Sequence, residues 1–388
     1  MGAKKRRALR FIVLLGLVSL FADVTYEGAR SITGPFMAIL GASGAVVGVV
    51  AGLGELVGYG MRLAAGYFTD KTQRYWALTI FGYAVNLLAA PALAFAGSWQ
   101  IAAVLIILER FGKAVRSPAK DTMLSFATKE TGRGWGFGLH ESLDQIGAIA
   151  GPLLISALLF FKESYQFGFA MLIFPALASL GVLAGARFSY PQPQAMESVR
   201  FERGKSAFSK TYWIYLLATG LIAAGYADFA LIAYHFQKSA LVPALWIPLF
   251  YSIAMAVDGL AALWMGKMFD VKGLKVLIFV TVLSAFFAPL VFLGGFSSGL
   301  AGMILWGIGM GSQESLLRAV VARLIVPQKR GLAYGMLHFG FGVFWFAGSA
   351  LMGILYDVSI VSLVLFSVLA QLASIPLFLF LKRNQACQ

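Results

Sequence analysis

Long apolar stretches alternate with short polar segments along all 388 residues of the chain. A transmembrane helix needs about 20 mostly apolar residues to cross the hydrocarbon core of a bilayer. The longest polar segment follows the sixth apolar stretch and predicts two six-helix halves, residues 1–187 and 211–388, joined by a linker at 188–210. The pattern thus predicts an all-α membrane protein with twelve transmembrane helices, at residues 11–39, 45–68, 75–96, 99–122, 134–160, 166–186, 211–236, 244–267, 275–295, 298–325, 331–355 and 359–381.

The distribution of basic residues supports this number of spans. With the N-terminus placed in the cytoplasm, cytoplasmic segments hold 22 Lys and Arg residues, and external segments hold two, Lys162 and Lys238. Basic residues are enriched on the cytoplasmic side of membrane proteins, and a miscounted helix would destroy this asymmetry. We therefore expect a multi-pass protein of the plasma (inner) membrane with both termini in the cytoplasm. The basic run Lys4–Arg7 then precedes an uncleaved first span, which also contains acidic Asp23 and Glu27.

Composition excludes several other classes of protein. Hydrophobic residues make up 60% of the chain and charged residues 12%, against about 25% charged in ordinary soluble domains. The net charge of +14 is placed where anionic lipids lie, so no nucleic-acid partner is needed to explain it. The single cysteine, Cys387, allows no internal disulfide and no cysteine metal cluster.

Two short motifs occur twice at nearly the same spacing. Gly66 and Asp70 follow the second span, and Gly266 and Asp270 follow the eighth, an offset of 200 residues. The pairs Arg133-Gly134 and Arg330-Gly331 show a second repeat, offset by 197 residues. Duplication of a six-helix half explains both repeats, and many secondary transporters are built in this way.

These motifs resemble those of the major facilitator superfamily, and the resemblance covers the whole chain. The family motif between helices 2 and 3 runs Gly-x-Leu-x-Asp-Arg-x-Gly-Arg. Gly66, Asp70, Lys71 and Arg74 match it, while Phe68 and Gln73 replace the Leu and the second Gly; the second copy supplies Gly266, Asp270, Gly273 and Lys275. The resemblance implies an alternating-access transporter in which glycines allow close helix contact and the acidic groups form a cytoplasmic latch.

The fifth span resembles a motif of the proton-coupled exporters of that family. Gly138, Gly147 and the pair Gly151-Pro152 have the family spacing, but Ile155 and Ser156 stand where the motif closes with two glycines. The resemblance implies proton-coupled export, whereas ordinary small-residue packing of membrane helices would also explain the glycines. The residues predicted to act in gating are Gly66, Asp70, Arg74, Gly147, Gly151, Pro152, Gly266 and Asp270.

Ionisable residues inside predicted spans are the candidates for substrate or proton binding, because each is costly in a bilayer unless paired or hydrated. The first span carries Asp23, Glu27 and Arg30 on one helix face, and the fourth carries a stripe of Glu109, Lys113, Arg116 and Lys120. These two helices line the central cavity in the family, so we expect the stripes to face each other across a water-filled path. Lys120 lies at the predicted inner boundary and is interpreted as a snorkelling anchor. Arg110 and Asp121 lie off the stripe.

The fifth span adds His140, Glu141 and Asp144. His140 and Asp144 are one helical turn apart, and a histidine beside an acid suits a proton-coupled step. The same residues resemble part of a zinc-protease motif, but a zinc site needs further ligands. In the second half, Glu314 and Arg318 can pair with each other at one-turn spacing, whereas Asp228 has no evident partner in its helix and is the better functional candidate.

The sequence therefore predicts a monomeric secondary transporter, without cofactor or metal, that exchanges a small organic solute for protons across the lipid bilayer. Uptake or facilitated passage of an anionic metabolite, bound by Arg30, Lys113 and Arg116, is one alternative. Divalent-metal export through His140, Glu141 and Asp144 is another. A membrane-embedded metalloenzyme is a remote alternative, since neither a nucleophile motif nor a complete metal motif is present in the sequence.

Overall fold

The computed structural model describes residues 3–131, 133–193, 209–324 and 330–386. The regular structure in these ranges is helical, which confirms the predicted all-α fold. The helices are α1 (Ala3–Ile39), α2 (Gly44–Thr72), α3 (Tyr75–Ala92), α4 (Trp99–Thr131), α5 (Arg133–Phe161), α6 (Tyr165–Met171), α7 (Ile173–Ser189), α8 (Lys210–Gly225), α9 (Phe229–Ser239), α10 (Trp246–Lys272), α11 (Leu274–Ala285), α12 (Phe287–Phe292), α13 (Phe296–Leu324), α14 (Arg330–Val358), α15 (Ile360–Leu372) and α16 (Ser374–Ala386). A short 3₁₀ turn, Leu93–Phe95, extends α3.

Ten helical segments in the described ranges are long and apolar enough to cross a membrane. Two further helices occupy the positions of the predicted fourth and tenth spans: α4 with 33 residues and α13 with 29. Both exceed the length that a bilayer requires, but neither contains a stretch as apolar as those of the other ten. Ten membrane crossings are therefore supported by length and composition. That α4 and α13 also cross the membrane, which would make twelve, stays a prediction.

Three predicted spans are interrupted by proline. Proline has no N–H with which to bond the carbonyl four residues earlier, and its ring crowds that carbonyl. Accordingly, α6 ends four residues before Pro175, α11 four residues before Pro289, and α15 four residues before Pro376. The helix resumes two residues after each of these ends, so α6–α7, α11–α12 and α15–α16 each correspond to one predicted span.

The break between α8 and α9 has a different cause, because no proline lies near it. The carbonyl of Gly225 accepts hydrogen bonds from Ser367 Oγ at 2.6 Å and Gln371 Nε2 at 3.1 Å. The carbonyl of Ala227 accepts one from Trp306 Nε1 at 3.0 Å. Backbone that leaves the helix inside a membrane protein must find such partners in the surrounding protein.

The described residues form two compact units. Unit 1 contains residues 1–32 and 57–201, and unit 2 contains residues 33–56 and 202–388. Residues 33–56, the end of α1 and the first part of α2, thus pack with the second half of the chain. In unit 1, α1 packs on α3, α4 and α7 through a core that includes Phe11, Leu15, Tyr83, Met123 and Leu183.

The two copies of the repeated motif each end on a residue with positive φ. Gln73 follows α2 with φ 53°, and Gly273 follows α10 with φ 58°, again 200 residues apart. Positive φ explains why the family motif has glycine at this position, since only glycine adopts it without strain. Gln73 adopts it despite carrying a side chain.

Replacing Gly273 with Ala should destabilise the protein. The backbone there has φ 58° and ψ −142°, a region open only to glycine, so a side chain should cost about 1–3 kcal/mol. Gly185→Ala is the matched control, because Gly185 lies within α7 and a Cβ there meets nothing within 4 Å. Thermal unfolding in detergent should show a lower midpoint for Gly273→Ala alone. Equal midpoints for the two variants would contradict this account of the turn.

Candidate functional site

Close helix packing in unit 1 brings the predicted polar stripes together. A Cβ added at Gly151 would lie 2.6 Å from the carbonyl oxygen of Val24 and 2.7 Å from the nitrogen of Gly28. One at Gly147 would collide with the carbonyl of Leu20, and one at Gly82 would lie 2.6 Å from the nitrogen of Arg116. Small residues therefore set the spacing of α5 against α1 and of α3 against α4.

A buried polar network connects four helices around Ser19, which lies on α1. Ser19 Oγ is 3.1 Å from His140 Nε2 on α5, 3.2 Å from Lys120 Nζ on α4 and 3.3 Å from the Tyr83 hydroxyl on α3. The guanidinium of Arg116 lies over the Tyr83 ring, 4.1 Å from its centroid. We call these five residues together with Asp144 the inner network.

Asp144 carries the negative charge of the inner network. Its Oδ2 is 3.4 Å from His140 Nδ1 and 3.9 Å from Lys120 Nζ. Its Oδ1 is buried, with no hydrogen-bond partner among the described residues. One oxygen of the carboxyl group thus faces the cationic and imidazole groups, while the other is unoccupied by any donor in the described part of the chain.

A second polar cluster surrounds Tyr26, further along α1. Lys113 Nζ lies 3.6 Å from the centroid of the Tyr26 ring, and Arg30 Nη1 donates to the Tyr26 hydroxyl at 3.3 Å. Arg110 also donates to that hydroxyl, and its Nε is 3.5 Å from Glu109 Oε2. Two guanidinium groups donate hydrogen bonds to the Tyr26 hydroxyl, and an ammonium lies against its ring. Three positive charges therefore gather around this one aromatic side chain. We call this the Tyr26 cluster.

Acidic side chains link the two clusters. Glu109 is buried and accepts a hydrogen bond from Asn86 Nδ2 on α3. Asp23 lies on α1 between Ser19 and Tyr26, where it interacts electrostatically with Lys113, Arg116 and Lys120 on α4. Glu27 is buried and interacts with Lys113. The opposed charges of α1 and α4 therefore interact, and the water-filled path expected between the two stripes stays a prediction.

Several residues were misjudged from sequence. Lys120 is not an interfacial anchor, because it is buried and its ammonium is bonded within the inner network. Arg110 contacts the Tyr26 cluster although it lies off the predicted stripe. Ser19, Tyr26 and Tyr83 were missed. Ser19 and Tyr26 lie about one helical turn from Asp23 on α1, and Tyr83 lies on the face of α3 that packs on α4; these positions were their only signal. Uncharged hydroxyl groups do not stand out in a hydrophobic helix.

The prediction that Asp228 lacks a local partner is wrong. Asp228 is the N-cap of α9, where its Oδ1 accepts the backbone N–H of Ala230 at 2.9 Å. The predicted seventh span is interrupted immediately before it, and an aspartate is a favoured residue at a helix start. This structural role accounts for a buried carboxylate without a substrate.

The remaining predicted site and gating residues lie outside the two polar clusters. Glu141 is exposed, unlike its neighbour His140. No three His, Cys, Asp or Glu side chains meet as potential metal ligands in the described residues. A Cβ at Gly66 would reach only Pro118, at 3.9 Å, and one at Gly266 would meet nothing within 4 Å. Asp70 and Arg74 are exposed. The side chains of Asp270, Glu314 and Arg318 lie outside the described residues.

A second feature of functional interest is the contact that residues 33–56 make within unit 2. A Cβ at Gly34 would lie 2.8 Å from the nitrogen of Tyr234 on α9, and one at Gly48 would lie 2.8 Å from the Cα of Gly353 on α14. The Tyr234 hydroxyl donates to the carbonyl of Ala42 at 3.0 Å. The end of α1 and the start of α2 thus pack backbone to backbone on α9 and α14. We call this contact the outer gate, because we propose that it opens and closes on the external side.

Asp357 joins the two sides of the outer gate electrostatically. It lies in the last turn of α14, and its two carboxylate oxygens accept the backbone N–H groups of Gly44 at 2.9 Å and Ala45 at 2.8 Å. These N–H groups belong to the first turn of α2 and have no acceptor inside that helix. The negative charge also lies at the positive end of the α2 dipole.

Fold and site define a multi-pass membrane protein with a polar interior, which is the architecture of a secondary transporter. The family model described as Major Facilitator Superfamily matches residues 15–313. The chain therefore belongs to the Major Facilitator Superfamily, and its class is that of a transporter rather than an enzyme.

Relatives and solved structures agree with this assignment. An uncharacterised protein of Mycobacterium tuberculosis (strain ATCC 25618 / H37Rv) is 40% identical over 375 residues, covering 95% of this chain and 92% of that protein. An uncharacterised MFS-type transporter of Methanocaldococcus jannaschii is 28% identical over 178 residues, 46% of this chain and 44% of that protein. The nucleoside transporter NupG superposes with a TM-score of 0.77 at 16% identity, covering 95% of this chain and 99% of that one. A mutant form of the peptide transporter POT gives a TM-score of 0.75 at 12% identity, covering 98% of each chain.

Removing the carboxylate of Asp357 should loosen the outer gate. Loss of a helix-capping side chain costs about 1 kcal/mol, equivalent to about a fivefold change in an equilibrium constant. In a Cys387→Ser background, Ser349→Cys places a thiol of similar size at a buried position on the α2–α14 contact. Asp357→Ala should raise the labelling rate of that thiol by a membrane-impermeant maleimide by about fivefold.

Glu163→Ala serves as the control, since Glu163 is an exposed acid in the loop between α5 and α6. It should leave the labelling rate unchanged. If Asp357→Ala also left it unchanged, the carboxylate would have no part in holding the gate.

Proposed function

We propose that this chain exports a small organic solute in exchange for protons, by alternating access, as a monomer in the plasma membrane with both termini in the cytoplasm. The inner network is the observation that carries the proton part of this proposal. It places an acid within 3.4 Å of an imidazole and 3.9 Å of an ammonium, and both of these contact a hydroxyl on α1. Such a group of buried titratable residues is typical of proton relays in membrane transporters.

Asp144 is the proposed proton carrier of the inner network. Its Oδ1 is buried and has no donor among the described residues, so an arriving proton can bind there without displacing an existing hydrogen bond. Protonation would neutralise the partner of Lys120 and so change the charge balance between α4 and α5. Protonation shifts the balance between two conformations only if the charge of Asp144 is stabilised to a different extent in each. Proton coupling requires this difference.

The outer gate supports the alternating-access part. Residues 33–56 belong to the first predicted half, yet they pack within unit 2 on α9 and α14. A path that opens on this side requires these contacts to separate. Its glycines have no side chains, so the helix backbones pack directly against each other. The two packed faces can therefore separate and close together. The similarity to transporters of nucleosides and peptides adds these two classes of solute to the panel worth testing.

Transport by proteoliposomes should respond to an imposed pH gradient. Nucleosides, short peptides, and organic anions and cations form the panel, and an entrapped pH dye reports proton movement when a transported solute is added. Asp144→Asn should abolish the response to the gradient while solute exchange at equal pH continues, because the amide cannot exchange a proton. Glu163→Gln, at an exposed loop acid, should behave as the wild type.

Two outcomes would count against this proposal. Flux that ignores the pH gradient in the wild type would remove proton coupling. A gradient response that survives in Asp144→Asn would remove Asp144 as the carrier.

Transport of an anionic metabolite is a second candidate, favoured by the environment of Arg116. This guanidinium is buried, and its Nε has no hydrogen-bond partner among the described residues. Lys113 and Arg30 lie on the same side of the bundle, against Tyr26. A carboxylate or phosphate of a substrate would supply the missing acceptors.

A thermal-shift screen separates the two candidates. Anions should raise the unfolding midpoint of the wild type and have a smaller effect on Arg116→Gln, if Arg116 holds the substrate. Stabilisation by neutral or cationic solutes only, equal in both proteins, would contradict an anionic substrate.

A further inference from the structure

A small cavity of about 220 Å³ opens at the membrane end where α3 begins and α7 ends, away from both polar clusters. Trp76 lies seven residues before Tyr83 on α3, which is about 10 Å along a helix. By the distribution of basic residues, this is the end that we propose to be cytoplasmic. The cavity is lined by Gln73, Arg74, Tyr75, Trp76, Ala77, Arg187 and Pro191.

The walls of this cavity are held in place by hydrogen bonds. Trp76 Nε1 donates to the carbonyl of Tyr190 at 3.0 Å, and Arg187 Nη1 donates to the carbonyl of Pro191 at 3.1 Å. The Tyr190 hydroxyl donates to the carbonyl of Arg7 on α1 at 3.2 Å. Trp76 and Tyr190 are buried. The chain that leaves α7 is thus fixed against α1 and α3, and the cavity is part of the folded bundle.

Two guanidinium groups give the cavity its charge. Arg187 lies 5.9 Å from the Trp76 ring centroid, and its bond to Pro191 uses one of the five N–H donors of a guanidinium. Arg74 is exposed at the rim. The first backbone N–H groups of α3 add to the donors, because this helix begins without a side-chain cap. Asp70, near the end of α2, interacts electrostatically with Tyr75 in the lining of the cavity.

This set of donors matches a phosphate group. Planar guanidiniums bind phosphate oxygens in pairs, and helix amino ends favour the same anion. We propose that Arg74 and Arg187 bind a phosphate group in this cavity, supplied by the headgroup of an anionic phospholipid or by free phosphate. Neither guanidinium belongs to the inner network or the Tyr26 cluster, and Arg74 is also one of the residues predicted to act in gating.

The test uses the full-length protein with lipids and phosphate as separate probes. Nanodiscs of phosphatidylglycerol and of zwitterionic phosphatidylcholine are compared by thermal unfolding, and native mass spectrometry counts the lipids that remain bound in detergent. Inorganic phosphate is titrated into the detergent-solubilised protein against chloride at equal ionic strength. We expect stabilisation by phosphatidylglycerol, phosphate or both, and about tenfold weaker binding in Arg74→Gln/Arg187→Gln. A shift with phosphatidylglycerol alone identifies the lipid as the source, and a shift with phosphate identifies the free anion.

The matched control is Lys382→Gln/Arg383→Gln, which removes the same charge from two exposed positions in α16. It should retain the full stabilisation. Arg74→Gln alone, at an exposed side chain, and Arg187→Lys, which keeps the charge but loses the planar fork, should each weaken binding in a protein that still folds. The proposal is overturned if all the Arg74 and Arg187 variants keep the wild-type response, or if the control loses as much as they do.

Discussion

Mutual neutralisation of ionised side chains inside unit 1 is the interaction on which this structure depends. A charge within the hydrocarbon region costs several kcal/mol unless it is paired or hydrated. Here α1 supplies Asp23 and Glu27, α5 supplies Asp144, and α4 supplies the facing cations. The glycines of α5 bring its backbone against α1, and His140 of α5 then lies within hydrogen-bond distance of Ser19. Small-residue packing therefore helps to bring the polar groups of these helices together.

The same constraint explains why α4 is less apolar than its neighbours. A helix that carries the cations that contact three other helices cannot be as apolar as those helices. Its polar stripe is compensated from outside: Lys120 by Ser19 and Asp144, Arg116 by the Tyr83 ring, and Lys113 by the Tyr26 ring. The aromatic rings bind cations without adding another charge to the interior.

Much of the fold was predictable because span length, helical period and the side of basic residues are local properties of the chain. The stripes on α1 and α4 were predictable for the same reason. Lys120 was not, because its role depends on residues 101 positions earlier and 24 positions later in the sequence. The break before Asp228 was also hidden, since Ser367 and Gln371, from a distant helix, bind the carbonyl freed there. Three helix ends lie four residues before a proline, but Pro35, Pro91, Pro118 and Pro152 lie inside continuous helices, so a proline alone does not locate a break.

A gate in a transporter must be strong enough to close and weak enough to open. The outer gate meets both requirements through its composition. Its glycine contacts bury backbone against backbone, and Asp357, whose carboxylate caps α2, is exposed to solvent. A solvated acid on a helix end contributes about 1 kcal/mol, whereas a buried ion pair would cost several kcal/mol to break. Two conformations separated by only a few kcal/mol can both be populated, and a proton or a substrate then suffices to shift the balance between them. The buried charge interactions thus lie in the inner network, where we propose that the proton binds. The outer gate consists of weaker contacts.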